Sequence, residues 1–213
     1  KPYWVTFPEI INFCGANPVY IETEETEFIL TAEQVKDAIT DGTKLLIVNS
    51  PSNPSGRVVP ANEMRKIIEV CAERDVLVLT DECYLFFVYP PAEVFTSAVL
   101  PDELKKSVCI SGSFSKTYAM TGWRIGYAGG PEWLIKAMAK VMSQSTSNPT
   151  SISQWAAVAA LDSSHDFMIP RNAAFQARRN AVVAGLNATE GLSCLMPDGA
   201  FYAYPDCSGA LGK

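Results

Sequence analysis

The chain has 213 residues, 48% of them hydrophobic and 19% charged, with a formal net charge of -6. That composition suits an ordinary globular protein of one domain or slightly more, with a core of its own. The acidic balance argues against a nucleic-acid binder, which shows a basic face, and no apolar run reaches the length of a membrane span.

The chain opens on KPYWVTFPEI, already extended and aromatic, with no initiating Met and no leader-like segment, so the expectation is a segment of a longer protein. PVYIETEE (18–25) reads as a strand. TAEQVKDAIT (31–40) reads as a short amphipathic helix with Thr31 as N-cap and Gln34 at the capping-box position. TKLLIVNS (43–50) is an apolar run of strand length. ANEMRKIIEVCAERD (61–75) carries helical spacing in Met64, Ile67, Ile68, Cys71 and Ala72. VLVLTDE (76–82) and KSVCISGS (106–113) are two more buried-strand runs, and WRIGYAGG (123–130) a strand ending in glycines. Helical patterns follow in PEWLIKAMAKVMSQS, SISQWAAVAALDS and DFMIPRNAAFQARRNAVVAGLNA. Strands apolar on both faces, alternating with helices, predict an α/β fold with a mostly parallel sheet flanked by helices.

Cys14, Cys71, Cys83, Cys109, Cys194 and Cys207 are scattered, with no Cys-x-x-Cys pair. Neither a metal site nor a disulfide framework is indicated, and free, largely buried thiols in a reducing compartment are expected. His165, the single histidine, sits in the polar stretch LDSSHD and is a weak basis for Ser-His or Cys-His chemistry. Asn187-Ala188-Thr189 fits a glycosylation triplet, which arises often by chance.

In open α/β sheets ligands bind beyond the carboxyl ends of the strands, and polar residues collect there. Asn53 lies in SPSNPSG after the first of these runs; Asp81 and Tyr84 close the second; Ser113, Ser115 and Lys116 follow the third. Each has an ordinary explanation: turn chemistry for Asn53, a helix cap for Asp81, core for Tyr84, a solvated charge for Lys116. Three strand ends with polar groups on one edge favour a site. A lysine in an apolar setting can form a Schiff base, hydroxyls and Arg124 suit a phosphate, and a buried aspartate suits a pyridinium nitrogen. A tyrosine and an asparagine can share a phenolic oxygen, and Trp4 can stack on a ring face. The set fits pyridoxal 5'-phosphate.

The stretches NSPSNPSG, LTDECY and SGSFSKTYAMTGWRIGY resemble the class I and II aminotransferases, the fold-type I pyridoxal-phosphate enzymes, and the likeness runs from Pro2 to GAFYAYPD. PYWVTFPEI, SQSTSNPTS and SISQWAAVAAL are similar to the branch of bacterial-type aspartate and aspartate/prephenate aminotransferases. The resemblance implies a large cofactor domain over residues 1–190 and the start of a truncated α+β small domain over 191–213. It implies that Lys116 carries the cofactor as a Schiff base and shuttles a proton, and that Asp81 pairs with the ring nitrogen. Tyr84 and Asn53 would meet the phenolic oxygen, with Asn53 also bordering the substrate. Trp4 would stack on the ring and border the substrate, and Ser113 and Arg124 would bind the phosphate. Ser147 and Asn148 would approach the neighbouring subunit's site.

The activity implied is transfer of an amino group between an L-amino acid such as aspartate and a 2-oxo acid such as 2-oxoglutarate, in a cytoplasmic homodimer without metal, nucleic acid or membrane. The family's Gly-rich phosphate loop and its carboxylate-binding arginine have no counterpart in this stretch, and Ser143 stands where one branch has an arginine. Negligible turnover by these residues alone is therefore expected. A carbon-sulfur lyase and a non-catalytic aminotransferase-like sensor are the alternatives. The Ser-x-x-Lys pattern at Ser113–Lys116 lacks the companion motifs of acyl-transfer enzymes.

Overall fold

A computed structural model describes residues 1–212. Helix α1 (Thr6–Phe13) and helix α2 (Ala32–Ala38) precede strand β1 (Leu45–Asn49). Helix α3 (Ala61–Ala72) leads to β2 (Leu77–Asp81), and α4 (Asp102–Lys105) to β3 (Val108–Ser113). The short helix α5 (Phe114–Thr117) and strand β4 (Gly126–Gly129) come next. Helices α6 (Glu132–Ser145), α7 (Ser151–Asp162) and α8 (Met168–Asn187) follow, and strands β5 (Ser193–Cys194) and β6 (Pro205–Asp206) close the described chain.

The main sheet has the order β1-β2-β3-β4. The first three strands are parallel and β4 runs antiparallel to β3. The mostly parallel sheet expected from the apolar runs is therefore present. Its core forms where α2 and α3 lie on the sheet: Val35, Ile67, Ile68, Cys71, Val76 and Val78 are essentially sealed from solvent. Helix α2 begins as its sequence predicts. The Thr31 hydroxyl accepts from the Gln34 N–H (3.3 Å) while the Gln34 side chain accepts from the Thr31 N–H (3.0 Å), a reciprocal cap. Pro170 falls in the first turn of α8, where its missing N–H costs no helical hydrogen bond.

Two expectations are corrected. Residues 18–25 form no strand: a strand needs a ladder partner, and this segment instead meets the start of the chain. The Thr23 hydroxyl donates to Lys1 O (2.6 Å), Tyr20 stacks on Tyr3 (4.9 Å between ring centres), and Glu24–Thr26 close a 3-10 turn. The strand read from Trp123 begins only at Gly126, because Arg124 takes a left-handed conformation (φ 51°) that interrupts extended backbone.

Strands β5 and β6 pair antiparallel, and Asn187 at the end of α8 holds them by accepting from Cys194 N–H (2.7 Å) and donating to Cys194 O (3.1 Å). Between them the chain returns to the main sheet. The Gly199 N–H donates to Gly56 O (2.8 Å) and the Ala200 N–H to Phe87 O (2.7 Å). A side chain on Gly199 would collide with Phe87 O and the Pro51 ring, so the close approach requires glycine. An Arg57–Asp198 ion pair (3.1 Å) adds a second tie. These contacts bring GAFY (199–202) to the carboxyl ends of β1 and β2.

Candidate active site

The register aligns Asn49, Asp81 and Ser111 as neighbours on β1, β2 and β3. Adjacent strands lie about 4.8 Å apart, so three polar residues sit side by side where parallel strands end. Asn49 joins two of them: its amide donates to Asp81 O (3.1 Å) and its side-chain oxygen accepts from the Asn53 N–H (2.6 Å). That bond fixes the loop carrying Asn53 to the strand edge. Sequence reading did not single out Asn49; its one signal is an amide closing an apolar strand.

Asp81 is buried, and one carboxylate oxygen accepts from the Cys83 N–H (3.1 Å), turning the chain so that Tyr84 follows on the same edge. Burial, reinforced by the Asp81 carboxylate, pushes the Cys83 thiol well above its ordinary range, while Lys116 pulls it the other way. Asp81 and Lys116 thus both lie within electrostatic reach of the Cys83 side chain.

Tyr84 is buried, with its hydroxyl 2.5 Å from that of Tyr202, and Tyr202 in turn accepts from the Asn53 amide (3.3 Å). The rings of Tyr84 and Tyr202 meet edge to face at 5.5 Å, and Phe201 meets Tyr84 at 5.3 Å. Burial first, and the bond to Tyr202 second, lift the Tyr84 phenol so that it stays protonated. Tyr202 enters from the far end of the sequence, in GAFYAYPD, where nothing local marks the tyrosine.

Lys116 lies on α5, which Ser113 caps by accepting from the Ser115 N–H (3.1 Å). Lys116 is half-buried, its Nζ 6.0 Å from the centre of the Phe201 ring. Arg171 holds this turn from α8: it donates to Thr117 O and to Phe86 O (3.3 Å), with its guanidinium 4.0 Å from the Phe87 ring centre. The Lys116 turn and the Tyr84–Phe87 turn are therefore tied to one helix.

Arg124 is exposed and donates to Thr121 O (2.8 Å), and the Thr121 hydroxyl donates to Ser115 O (3.1 Å). Ser113 is registered against Gly126, so Arg124 and Ser113 share an end of the β3–β4 pair. Trp4 is exposed, meets Phe7 edge-on at 5.4 Å, and among the described residues takes no part in the hydrogen-bonded cluster. Ser147 and Asn148 occupy the α6–α7 connection, where the Asn148 amide donates to Pro149 O (2.7 Å). The Ser143 hydroxyl donates to Lys140 O (2.8 Å) on its own helix. His165 lies 3.2 Å from the Tyr118 hydroxyl, an ordinary partner for an exposed imidazole. The six cysteines are free; Cys71, Cys109 and Cys194 are buried, whereas Cys14 and Cys207 are exposed.

The edge thus presents a carboxylate, a primary amine, a trio of amide and phenol groups, and a serine beside an arginine. Those groups complement a flat ring carrying a cationic nitrogen, an acidic oxygen, a carbonyl and a phosphate.

The family model described as Aminotransferase class I and II matches residues 1–212. The chain is similar to the aspartate aminotransferase of Rhizobium meliloti (strain 1021), 48% identical over 214 residues that cover 100% of this chain and 52% of that protein. It is also similar to the aspartate/prephenate aminotransferase of Cereibacter sphaeroides (strain ATCC 17029 / ATH 2.4.9), 44% identical over 214 residues, covering 100% of this chain and 54% of the relative. Among solved structures, the aspartate aminotransferase from Rhizobium meliloti superposes with a TM-score of 0.95 at 47% identity, covering 100% of this chain and 54% of that one. The aspartate aminotransferase from Thermus thermophilus with maleate gives 0.93 at 39% identity, covering 100% and 55%. The chain spans about half the length of the curated relatives it matches.

Proposed function

The chain belongs to the class I and II aminotransferase family, and from that premise we propose that the whole protein transfers an amino group between an L-amino acid, aspartate or one like it, and a 2-oxo acid such as 2-oxoglutarate, using pyridoxal 5'-phosphate. One observation supports the reading most: β1, β2 and β3 run parallel in register, and Asn53, Asp81 with Tyr84, and Lys116 lie at or just after their carboxyl ends. The names of the relatives support an acidic amino acid as substrate.

The donor set fits the cofactor group by group. The Asp81 carboxylate would hold the ring nitrogen in its protonated form. Tyr84 and Asn53 would meet the phenolic oxygen. Ser113 and Arg124 would take the phosphate, and Trp4 would border the ring from the N-terminal segment. When bound, pyridoxal phosphate supplies an aldehyde for covalent attachment and an electron sink for the bonding pair at the substrate α-carbon. Lys116 would provide the attaching amine, and its Nζ would be the base that takes the α-proton and the acid that returns one. Asn53, fixed by Asn49, borders the substrate.

In this reading residues 1–190 belong to the cofactor domain and 191–213 begin a second one, with β5–β6 inside it. The protein works as a cytoplasmic homodimer. Exposed apolar side chains on α6 and α7, among them Trp133, Val141, Ile152 and Trp155, support pairing with further protein surface. No helix among the described residues is long and apolar enough to cross a membrane.

The test uses the full-length protein with added pyridoxal phosphate, reduced with borohydride and mapped by mass spectrometry. A single adduct on Lys116, lost in Lys116→Ala, is the expected result; an adduct on another lysine overturns the assignment. Product analysis should then find a 2-oxo acid and an aminated acceptor, whereas pyruvate and ammonia would indicate a lyase.

A further inference from the structure

Asn53 and Tyr202 are separated by 149 positions in sequence, yet the Asn53 amide donates to the Tyr202 oxygen at 3.3 Å and the Tyr202 oxygen lies 2.5 Å from that of Tyr84. The direction of the second bond decides what Tyr84 can do. An amide nitrogen only donates, so Tyr202 is the acceptor in the first bond. If Tyr202 passes its own proton to the Tyr84 oxygen, each phenolic oxygen accepts once and the Tyr84 proton is left to point outward. The reverse arrangement makes Tyr202 accept twice, leaves the proton of this half-buried phenol to solvent, and turns the Tyr84 proton inward. Hydrogen bonds that run in one direction polarise each other, and an anionic oxygen placed against Tyr84 draws the chain outward.

We propose that Tyr202 is a positioning residue: by donating to Tyr84 it aims the Tyr84 proton at the anionic phenolic oxygen of the bound cofactor. This rests on the pyridoxal-phosphate reading above. The structure supports it independently of that reading in two respects. The GAFY segment is tied to the turn after β2 by the Ala200–Phe87 backbone bond (2.7 Å) and to the loop after β1 by the Gly199–Gly56 bond (2.8 Å), so Tyr202 is held in place. The edge-to-face ring contact (5.5 Å) fixes the angle between the two phenols. Residues 199–202 thereby tune a group in the turn that follows β2.

The test is spectroscopic and uses the full-length protein loaded with pyridoxal phosphate. A proton donated to the ring oxygen withdraws negative charge from the conjugated system and makes its protonation elsewhere harder. Losing part of that donation makes protonation easier, so the pH midpoint of the bound cofactor's absorbance change should rise. Tyr202→Phe keeps the ring and removes only the hydroxyl. It should retain the Lys116 adduct, raise the midpoint by about 0.5–1 unit, the size expected for one hydrogen bond, and lower kcat more than it changes KM. Tyr204→Phe, whose ring packs on Phe28 instead, should leave the midpoint unmoved. An unmoved midpoint in Tyr202→Phe overturns the inference, and a lowered one shows that Tyr84 donates to Tyr202. If the unaltered protein forms no Lys116 adduct, the pyridoxal-phosphate reading fails and this inference falls with it.

Discussion

Helices α3 and α6 carry the same kind of apolar spacing and end in opposite surroundings. Met64, Ile67, Ile68 and Cys71 of α3 are all buried against the sheet, beside Val35 of α2 and Val78 of β2. Helix α6 has no buried residue; Trp133 is 64% exposed and Val141 70%. Periodicity tells which face of a helix is apolar, and the neighbouring elements decide whether that face is covered. The candidate site stands on the covered side. Asp81 closes a strand whose Val78 packs under α3, and Tyr84 follows three residues later, whereas Arg124 lies beside the thinly covered β4 and is itself exposed. On the proposed reading the site should therefore divide into a rigid part, which would hold the ring, and a looser part, which would meet the phosphate.

The largest effect expected from that division is chemical. Asp81→Asn changes charge with little change of shape in the rigid part. If Asp81 has the proposed role, it should cut turnover of the full-length protein roughly a thousandfold, near 4 kcal/mol of barrier, because a neutral amide would no longer hold the ring nitrogen protonated. Cofactor affinity should fall far less, since the phosphate contacts are untouched, and thermal unfolding should move little. Steady-state rates beside a cofactor titration check this. Near-normal turnover would remove Asp81 from its role, and a collapse of affinity would show that the two parts are not separable.

The next comparison is between the helices themselves. Ile67→Ala empties space in a sealed core and should destabilise by about 2–5 kcal/mol. Val141→Ala on α6 should change stability by under about 0.5 kcal/mol in this chain. Urea unfolding of both variants measures the contrast. Equal losses would mean that the exposed face of α6 is covered by something in solution, which would be the first sign of what packs there.

The same contrast explains what could be read beforehand. Strands β1, β2 and β3 are legible because each opens on an apolar run of strand length, and α2 because its cap is local, with Thr31 and Gln34 three residues apart. Residues 18–25 were not, since alternation alone does not supply a neighbouring strand. Asp81, Tyr84, Asn53 and Lys116 are visible as polar groups at strand ends. Asn49, Tyr202 and Arg171 are not, because their roles lie in bonds to distant backbone and side chains: Tyr202 to Asn53, Arg171 to Thr117 and Phe86. An arginine on a long polar helix looks like solvated charge until the fold lays it against Phe87.

The smallest effect concerns pH and again separates covered from uncovered surface. Burial against the sheet pushes the Cys71 thiol up from 9.0 to about 11. In the unfolded chain this thiol ionises near pH 9, while in the folded protein it keeps its proton until about 11. Between those values the unfolded state binds fewer protons, so stability falls as pH rises. Below pH 9 both states are protonated and the thiol leaves the slope unchanged. Two units correspond to a loss of roughly 2 kcal/mol by pH 11, allowing for relaxation of the site. Tyr84 and Tyr89, also raised from 10.0 by burial, steepen the decline above pH 10. Denaturant midpoints taken from pH 8 to 11 should show this fall, and Cys71→Val, which keeps the site apolar and near the same size, should make the part between pH 9 and 10 less steep, the remaining slope coming from the Cys83 and Cys109 thiols that burial also raises. If the variant declines as steeply as the unaltered chain over that interval, water reaches Cys71 in the folded state, and the covered side of the sheet is more open than its packing indicates.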